Sequence, residues 1–217
     1  MSPRPAGGYK LASGERVPGN TTIVSQLGWN TRPLMYWANK MGLEGKPLAE
    51  AQELEATVGT FIHAIIEAEL RGKPRPELAI SQEQKDRVDN ALLGFYEWRD
   101  SSLLKVTHIE IPLISEIHRY GTTPDFPALV RQRRRMIQLK TADGLYPEVL
   151  IQVAAEGAAW DENFPDDPVD GYDILRIGKG DGSFHHDYFP RGAPKMVAAL
   201  KCFLHLRALY DLAKAMK

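Results

Sequence analysis

The spacing of apolar residues changes near Leu104, and this change constrains the fold more than any other feature of the sequence. Before Leu104, apolar side chains recur every three or four residues, which is typical of amphipathic helices. After it, they nearly alternate with polar side chains, which is typical of half-buried strands. We therefore predict a helical part over residues 21–104, a sheet core with one helix over 105–190, and a C-terminal helix over 191–217.

The elements expected after Leu104 define a fold class. Three extended runs at short intervals predict an antiparallel meander, a helix follows them, and a strand pair precedes the last helix. The three runs, the helix and the strand pair are 106–117, 122–130, 136–141, 148–160, 172–177 and 184–189. This order predicts a single α/β (α+β) domain over 21–217, with a mixed central sheet flanked by helices. Residues 1–20, rich in Gly, Pro and Ser, are predicted to form a flexible leader.

Composition excludes several classes of protein. The chain has 27 Lys and Arg against 28 Asp and Glu, so binding to nucleic acid would need a local basic patch. Cys202 is the single cysteine, which excludes an intramolecular disulfide and a four-cysteine zinc or iron–sulfur cluster. No apolar run reaches the roughly 20 residues of a membrane-spanning helix. These features predict a cytoplasmic protein without a membrane partner.

An acid and a lysine are predicted to meet at one end of the sheet. In the run Met136–Thr141, the two-residue period of a strand puts Gln138 and Lys140 on the same face. A buried ammonium is costly without a partner, and Asp125, 13 positions before Gln138, can approach it across a hairpin. Pro124 disfavours a regular strand and indicates a bend that exposes the carboxylate. Oxygen ligands on such a bend suit Mg²⁺ or Mn²⁺.

Four short motifs then match a known family in their order and spacing. They are Gly59–His63, Thr123–Asp125, Gln138–Thr141 and Gln152–Ala155. The series resembles the PD-(D/E)XK nuclease superfamily, in its RecB-like and phage-type exonuclease branch, over roughly residues 20–190. The resemblance implies a restriction-endonuclease-like core with an N-terminal helical region and a long C-terminal helix. It also implies a metal-dependent deoxyribonuclease, an exonuclease that hydrolyses DNA ends in recombination or repair and is encoded by a phage, acting in a bacterial cell or phage-infected host.

The resemblance also assigns roles to individual residues. It implies a catalytic set of Asp125, Gln138 and Lys140, in which the lysine positions or activates the attacking water. Mg²⁺ or Mn²⁺ would be held by His63, Asp125, Gln138 and the Leu139 carbonyl. Such a set suits phosphodiester hydrolysis, because the metal polarises the phosphate and the ammonium stabilises the transition state. Gln152 on the following helix would hold DNA or the lysine.

The sequence departs from the family pattern at two positions. Gln138 stands where the family usually has an acid, so the acid-X-lysine motif has the form Q-X-K. An amide offers a carbonyl oxygen but no negative charge. Since one pair of unit charges at about 4 Å is worth about 4 kcal/mol gross at an effective dielectric of ~20, metal binding should weaken. Glu156 replaces the family's helical tyrosine, and either Glu148 or Glu156 could supply a substitute carboxylate.

Several further residues are assigned supporting roles. Glu67, one helical turn after His63, and Glu110 on the first strand are predicted to support the site. The turn with Arg131, Arg133, Arg134 and Arg135 is either a solvated turn or a DNA-binding patch that contacts phosphates beside the site. The aromatic residues Trp29, Tyr36, Trp37 and Tyr146 are predicted to pack in or around the core rather than to stack on bases.

Three alternatives to an exonuclease remain open. The missing second acid favours a catalytically impaired DNA-binding protein on a nuclease scaffold. A structure-specific endonuclease or resolvase would use the same residues and would also cut circular DNA. An interaction protein could instead use the long C-terminal helix to bind a partner. Besides DNA, the partners considered are a second copy of the chain and a recombination partner protein.

Overall fold

The computed structural model describes residues 5–29, 31–77, 79–141 and 144–216, so residues 1–4 of the predicted leader and Lys217 lie outside the described residues. The described chain has a mixed α/β architecture, with six helices and a five-stranded central sheet. The helices are α1 (Asn20–Val24), α2 (Thr31–Leu43), α3 (Leu48–Leu70), α4 (Gln82–Ser102), α5 (Pro147–Asn163) and α6 (Pro194–Ala215). The strands are β1 (Tyr9–Lys10), β2 (Arg16–Val17), β3 (Leu104–Val106), β4 (Leu113–Ser115), β5 (Tyr120–Thr122), β6 (Ala128–Val130), β7 (Arg133–Lys140), β8 (Gly171–Ile177) and β9 (Phe184–Pro190).

The central sheet has the strand order β3-β6-β7-β8-β9. Strands β7 and β8 are parallel and α5 connects them, whereas the other neighbouring pairs are antiparallel. In the parallel pair Gln138 lies opposite Ile174 and Lys140 opposite Arg176. The predicted mixed sheet flanked by helices is therefore confirmed.

Alternation along β7 divides the apolar side chains between two cores. Met136 faces the core formed with α1, α5 and α6, around Trp160 and Phe203. Ile137 and Leu139 face the core formed with α3 and α4. Full burial of one such side chain contributes roughly 1.5–3 kcal/mol. Because Gln138 and Lys140 share the parity of Met136, this alternation directs both polar side chains toward α5.

The predicted three-strand meander is wrong in its details. The run 106–117 contains the end of β3 and all of β4, and these two strands belong to different sheets. The run 122–130 likewise separates into the end of β5 and β6. Prolines explain both interruptions, because Pro112, Pro124 and Pro127 lack the backbone N–H that a strand ladder needs. Strands β4 and β5 instead form a separate hairpin.

The flexible leader predicted for residues 1–20 is also wrong where the structure describes it. Strands β1 and β2 pair, and Tyr9, Leu11 and Val17 are buried. The Tyr9 hydroxyl lies 2.9 Å from Thr123 Oγ1, so this hairpin packs against the loop that carries Asp125. A side chain at Gly121 would collide with the Tyr9 ring, since its Cβ would lie 2.0 Å from Tyr9 Cγ. Composition alone suggested disorder, but three apolar side chains are enough to anchor the hairpin.

Helix α2 buries little of its surface. Met41 is its only buried residue in the described structure, and Tyr36 is 78% exposed. Trp29, just before the helix, is 55% exposed. The prediction that these aromatic side chains pack in or around the core is therefore wrong for Trp29 and Tyr36. None of the helices in the described ranges combines the length and the apolar character that crossing a membrane requires.

Candidate active site

Strand β7 and helix α5 bring the predicted polar residues together. Gln138 is 2% exposed and Lys140 is partly buried at the end of the strand. Gln152 lies on α5, which covers this face of the sheet. The cluster therefore forms where the carboxyl end of β7 meets the following helix, a common position for sites in α/β proteins.

Asp125 lies in the loop between β5 and β6 rather than on a strand as predicted. Its side chain is 10% exposed. Its Oδ2 atom accepts hydrogen bonds from the backbone N–H of Leu139 at 2.9 Å and from Gln138 Nε2 at 2.6 Å. The backbone N–H of Glu110 donates to the Asp125 carbonyl at 3.0 Å. Neighbouring loops thus hold the Asp125 carboxylate against the end of β7.

His63 faces the other oxygen of this carboxylate from α3. Its Nδ1 atom lies 3.9 Å from Asp125 Oδ1. Burial lowers the pKa of His63 below its usual value, although the Asp125 carboxylate acts in the opposite direction. The imidazole is therefore neutral at pH 7, which is the form that binds metal ions.

A chain of amide hydrogen bonds joins Lys140 to Asp125. Lys140 Nζ donates to Gln152 Oε1 at 3.4 Å, and Gln152 Nε2 donates to Gln138 Oε1 at 3.1 Å. Gln138 Nε2 completes the chain by donating to Asp125. Every donor points from the cation toward the anion, so the two amide dipoles are aligned between the charges.

Glu156 is a buried carboxylate beside this chain. It is 1% exposed, and Gln152 Nε2 donates to its Oε1 at 2.9 Å. No described residue hydrogen-bonds to its Oε2. Burial, followed by the negative charge of Asp125, raises the pKa of Glu156 to about 8, while Gln152 and Lys140 act in the opposite direction. Buried carboxylates with such raised pKa values are concentrated at functional sites.

The two carboxylates predicted to support the site line a small cavity. Glu67, Glu110, His63, Asp125 and Leu139 are among its lining residues, and its volume is about 10 Å³. This volume accommodates about one water molecule. Glu67 also pairs with Arg71 at 2.7 Å, and Glu110 lies in the loop after β3 rather than on that strand.

The donor chemistry around this cavity suits a hard divalent cation, because it combines carboxylates with a neutral imidazole. The geometry does not complete a ligand set, since no group of three or more His, Cys, Asp or Glu in the described ranges is placed to hold a metal ion. The amide of Gln138 also directs nitrogen, not oxygen, toward Asp125. Metal ligation by His63 and Asp125 would therefore need further carboxylates to turn toward the cavity.

The arginine cluster lies at the other end of β7 from Lys140. Seven strand positions separate Arg133 from Lys140, or about 23 Å. Arg134 is 7% exposed and pairs with Asp167 at 2.6 Å, and Arg135 lies over the Tyr188 ring at 3.9 Å. Arg134 and Arg135 therefore pack within the fold, whereas phosphate contacts by the exposed Arg131 and Arg133 stay a prediction. The turn itself, at Arg131 and Gln132, has positive φ angles.

Sequence reasoning missed one polar residue at the site. Asn20 is 2% exposed, and its Nδ2 donates to the Gln152 carbonyl at 2.9 Å and to Thr122 Oγ1 at 3.3 Å. It links α1 to α5 directly behind the amide chain. Its position after Pro18 and Gly19 resembles a turn, so no periodic pattern could have identified it.

Comparisons with known proteins add no family to this description. No protein-family model matches the chain, and a search of curated proteins finds no match.

Proposed function

We propose that the protein is a metal-dependent DNA nuclease, an exonuclease that hydrolyses phosphodiester bonds at DNA ends. The observation that carries this proposal is the convergence of Asp125, Gln138, Lys140 and Gln152 in one hydrogen-bonded chain, with His63 facing Asp125. These residues come from separate elements, yet they meet at one partly exposed point of the molecule. A lysine and an acid connected through aligned amides are poorly explained by stability alone.

The order of the elements supports the finer fold assignment. A helix, three strands of one sheet, a helix and a parallel strand follow each other as α4, β3, β6, β7, α5 and β8. This order is what the resemblance to restriction-endonuclease-like nucleases implies. The β4–β5 hairpin would then be an insertion between the first two strands of the core.

In this proposal the residues of the chain have distinct tasks. The Lys140 ammonium stabilises the negative charge that develops on the phosphate, and Gln152 positions it. Asp125 and the neutral His63 would hold Mg²⁺ or Mn²⁺, with Glu67 and Glu110 in the same cavity. A bound divalent metal would polarise the phosphate and activate a water molecule.

Of the two helical carboxylates that could replace the missing acid, Glu156 is the better candidate. It shares Gln152 as a partner with Gln138, whereas Glu148 has no hydrogen bond to the amide chain among the described residues. Deprotonated Glu156 would return to the site the negative charge that Gln138 lacks. Glu156→Gln is expected to weaken Mn²⁺ binding in a calorimetric titration while the fold is retained, and unchanged binding would exclude this role.

The proposed activity can be tested with purified protein and end-labelled DNA. Linear single-stranded DNA, linear duplex and a closed circle are incubated with Mg²⁺, Mn²⁺ or a chelator. We expect metal-dependent degradation of linear DNA, no cleavage by Lys140→Ala, and normal cleavage by the matched variant Lys105→Ala, which alters an exposed lysine on β3. Cleavage of the circle would indicate an endonuclease instead. Full activity of Lys140→Ala would contradict the site assignment.

One observation favours a second candidate, a DNA-binding protein that does not cleave. The Gln138 amide nitrogen donates a hydrogen bond to Asp125 Oδ2, and no complete metal-ligand group is present among the described residues. This candidate predicts salt-sensitive DNA binding, no turnover in any divalent metal, and no heat of Mn²⁺ binding. The same incubation therefore distinguishes the two functions.

A further inference from the structure

A segment without acidic residues borders the candidate active site. Residues 16–43 contain no Asp or Glu, although the chain has 28 of them among 217 residues, or about one in eight. The charged side chains of this segment are Arg16, Arg32 and Lys40. The segment therefore has a formal charge of +3, even though the formal net charge of the protein is −1.

Two of these cations flank an aromatic side chain on one face of α2. Arg32, Tyr36 and Lys40 are spaced four residues apart, so they follow each other along the helix at intervals of about 6 Å. All three are exposed. Lys40 makes only an exposed pair with Glu44 at 3.9 Å, a kind of contact that contributes little, and no described residue forms an ion pair with Arg32.

Packing within the chain does not explain this face. Leu43, seven residues after Tyr36 and so on the same side of the helix, is 82% exposed, in addition to the exposed rings of Trp29 and Tyr36. Exposed aromatic and apolar side chains grouped on one helix and the segment before it favour a binding site for a partner. The absence of acidic residues indicates that the partner is negatively charged.

A cavity lies between the segment that precedes α2 and the helix that carries Gln152. Ser25 and Gly28 line a cavity of about 240 Å³ together with Glu148 and Gln152. Trp29 directly follows Gly28 and leads into α2, and α2 in turn leads into α3, which carries His63. The segment that leads into α2 thus borders the candidate site.

We propose that Trp29 and the α2 face formed by Arg32, Tyr36 and Lys40 bind single-stranded DNA at the candidate site. Bases stack on the two rings, and phosphates contact the two cations. A single strand is favoured over a duplex, because exposed rings can stack only on bases that are not already stacked in a helix. The inference rests on the proposed function, which identifies the ligand as DNA.

Binding of a fluorescein-labelled oligothymidylate, followed by anisotropy in the presence of a chelator, tests this proposal without cleavage. Tyr36→Phe keeps the ring and is expected to bind within about twofold of the wild type. Tyr36→Leu keeps the apolar character but loses the ring, and its affinity should fall about tenfold. Arg32→Gln should reduce the salt dependence of binding by about one counterion. Met35→Ala, on another face of α2, is the matched control and should leave binding unchanged.

Several results would overturn the proposal. The first is an affinity of Tyr36→Leu for the oligonucleotide equal to that of the wild type. The second is an equal loss of affinity in Tyr36→Leu and Met35→Ala. The third is equal affinity of the wild type for duplex and single-stranded DNA. A change of oligomeric state in Tyr36→Leu with normal DNA binding would identify a second copy of the chain as the occupant. Ring-dependent binding by a wild type that cleaves nothing would contradict the proposed nuclease but support this inference. Cleavage that depends on Lys140, with no effect of Tyr36→Leu on binding, would support the proposed nuclease but contradict this inference.

Discussion

Cations and carboxylates lie at both ends of β7, but the distance between them differs from one end to the other. At the start of the strand, Arg133, Arg134 and Arg135 lie 3.7, 2.6 and 3.7 Å from the carboxylates of Asp170, Asp167 and Asp173. At its end, two amides separate Lys140 from the Asp125 carboxylate. Glu156, beside those amides, is buried without a cation in contact among the described residues.

We infer from this difference that the charges at the start of β7 stabilise the fold, whereas those at its end can take part in binding or catalysis. A counterion close to a buried charge offsets part of the cost of desolvating that charge. A buried carboxylate without that contact remains costly, and such groups are concentrated where a protein binds or reacts. Three experiments test this distinction.

The largest effect is expected at the start of β7. Asp173 is 2% exposed, and it contacts both Arg135 and His186, the latter at 2.6 Å. Asp173→Ala would leave a buried guanidinium without its carboxylate, so the free energy of unfolding should fall by about 3–5 kcal/mol. Urea denaturation measures this change.

Arg133→Ala is the matched control for that experiment. The Arg133 side chain is 70% exposed, so its loss should change the free energy of unfolding by less than about 0.5 kcal/mol. Similar losses in both variants would show that burial does not decide the contribution of these pairs.

A smaller, pH-dependent effect is expected from Glu156. Because burial raises the pKa of Glu156 from 4.5 to about 8, the folded protein retains a proton between these values that the unfolded chain has released. Stability from this group is therefore lost as the pH rises, by about 2 kcal/mol between pH 5.5 and pH 7.5. Thermal denaturation of wild type and Glu156→Gln across this range isolates the contribution. Parallel pH profiles for the two proteins would contradict it.

The smallest effect is expected from Gln138→Glu. In a chelator this variant replaces a 2.6 Å hydrogen bond to Asp125 with a second acid, and it should lower the free energy of unfolding by about 1 kcal/mol. With saturating Mn²⁺ the variant should become more stable than the wild type, because it gains a charged ligand and binds the metal more tightly. Denaturation in chelator and in Mn²⁺ measures both changes. A variant that responds to Mn²⁺ no more than the wild type would contradict metal binding at this position.

The sequence predicted the layers of the fold better than the connections between its strands. Long amphipathic patterns, such as the one that became α3, are reliable because their apolar residues repeat over several turns. Short strands lack that redundancy. Pro112 and Pro127 were visible in the sequence, but periodicity alone did not show that they divide the extended runs between two sheets.

The candidate site was predicted in its composition but not in its hydrogen bonding. Strand alternation was sufficient to place Gln138 and Lys140 on one face. The orientation of the Gln138 amide depends on Gln152 and Asp125 together, which no local pattern encodes. No local pattern encodes the ion pairs of the arginine cluster either, because its aspartate partners lie more than 30 residues further along the chain.

The residues of the candidate site also differ in how far apart they lie along the chain. Asp125 and Gln152 are joined through a continuous unit of loop, hairpin and helix, whereas His63 reaches Asp125 only when α3 docks on the sheet. Local opening of the α3–α4 layer would therefore separate the imidazole from the carboxylate and leave the amide chain intact. A metal ion that binds both groups would slow this opening, and amide hydrogen exchange in α3 would decrease when Mn²⁺ is added. Under the proposed metal binding, the candidate site would couple the stability of the α3–α4 layer to its ligand.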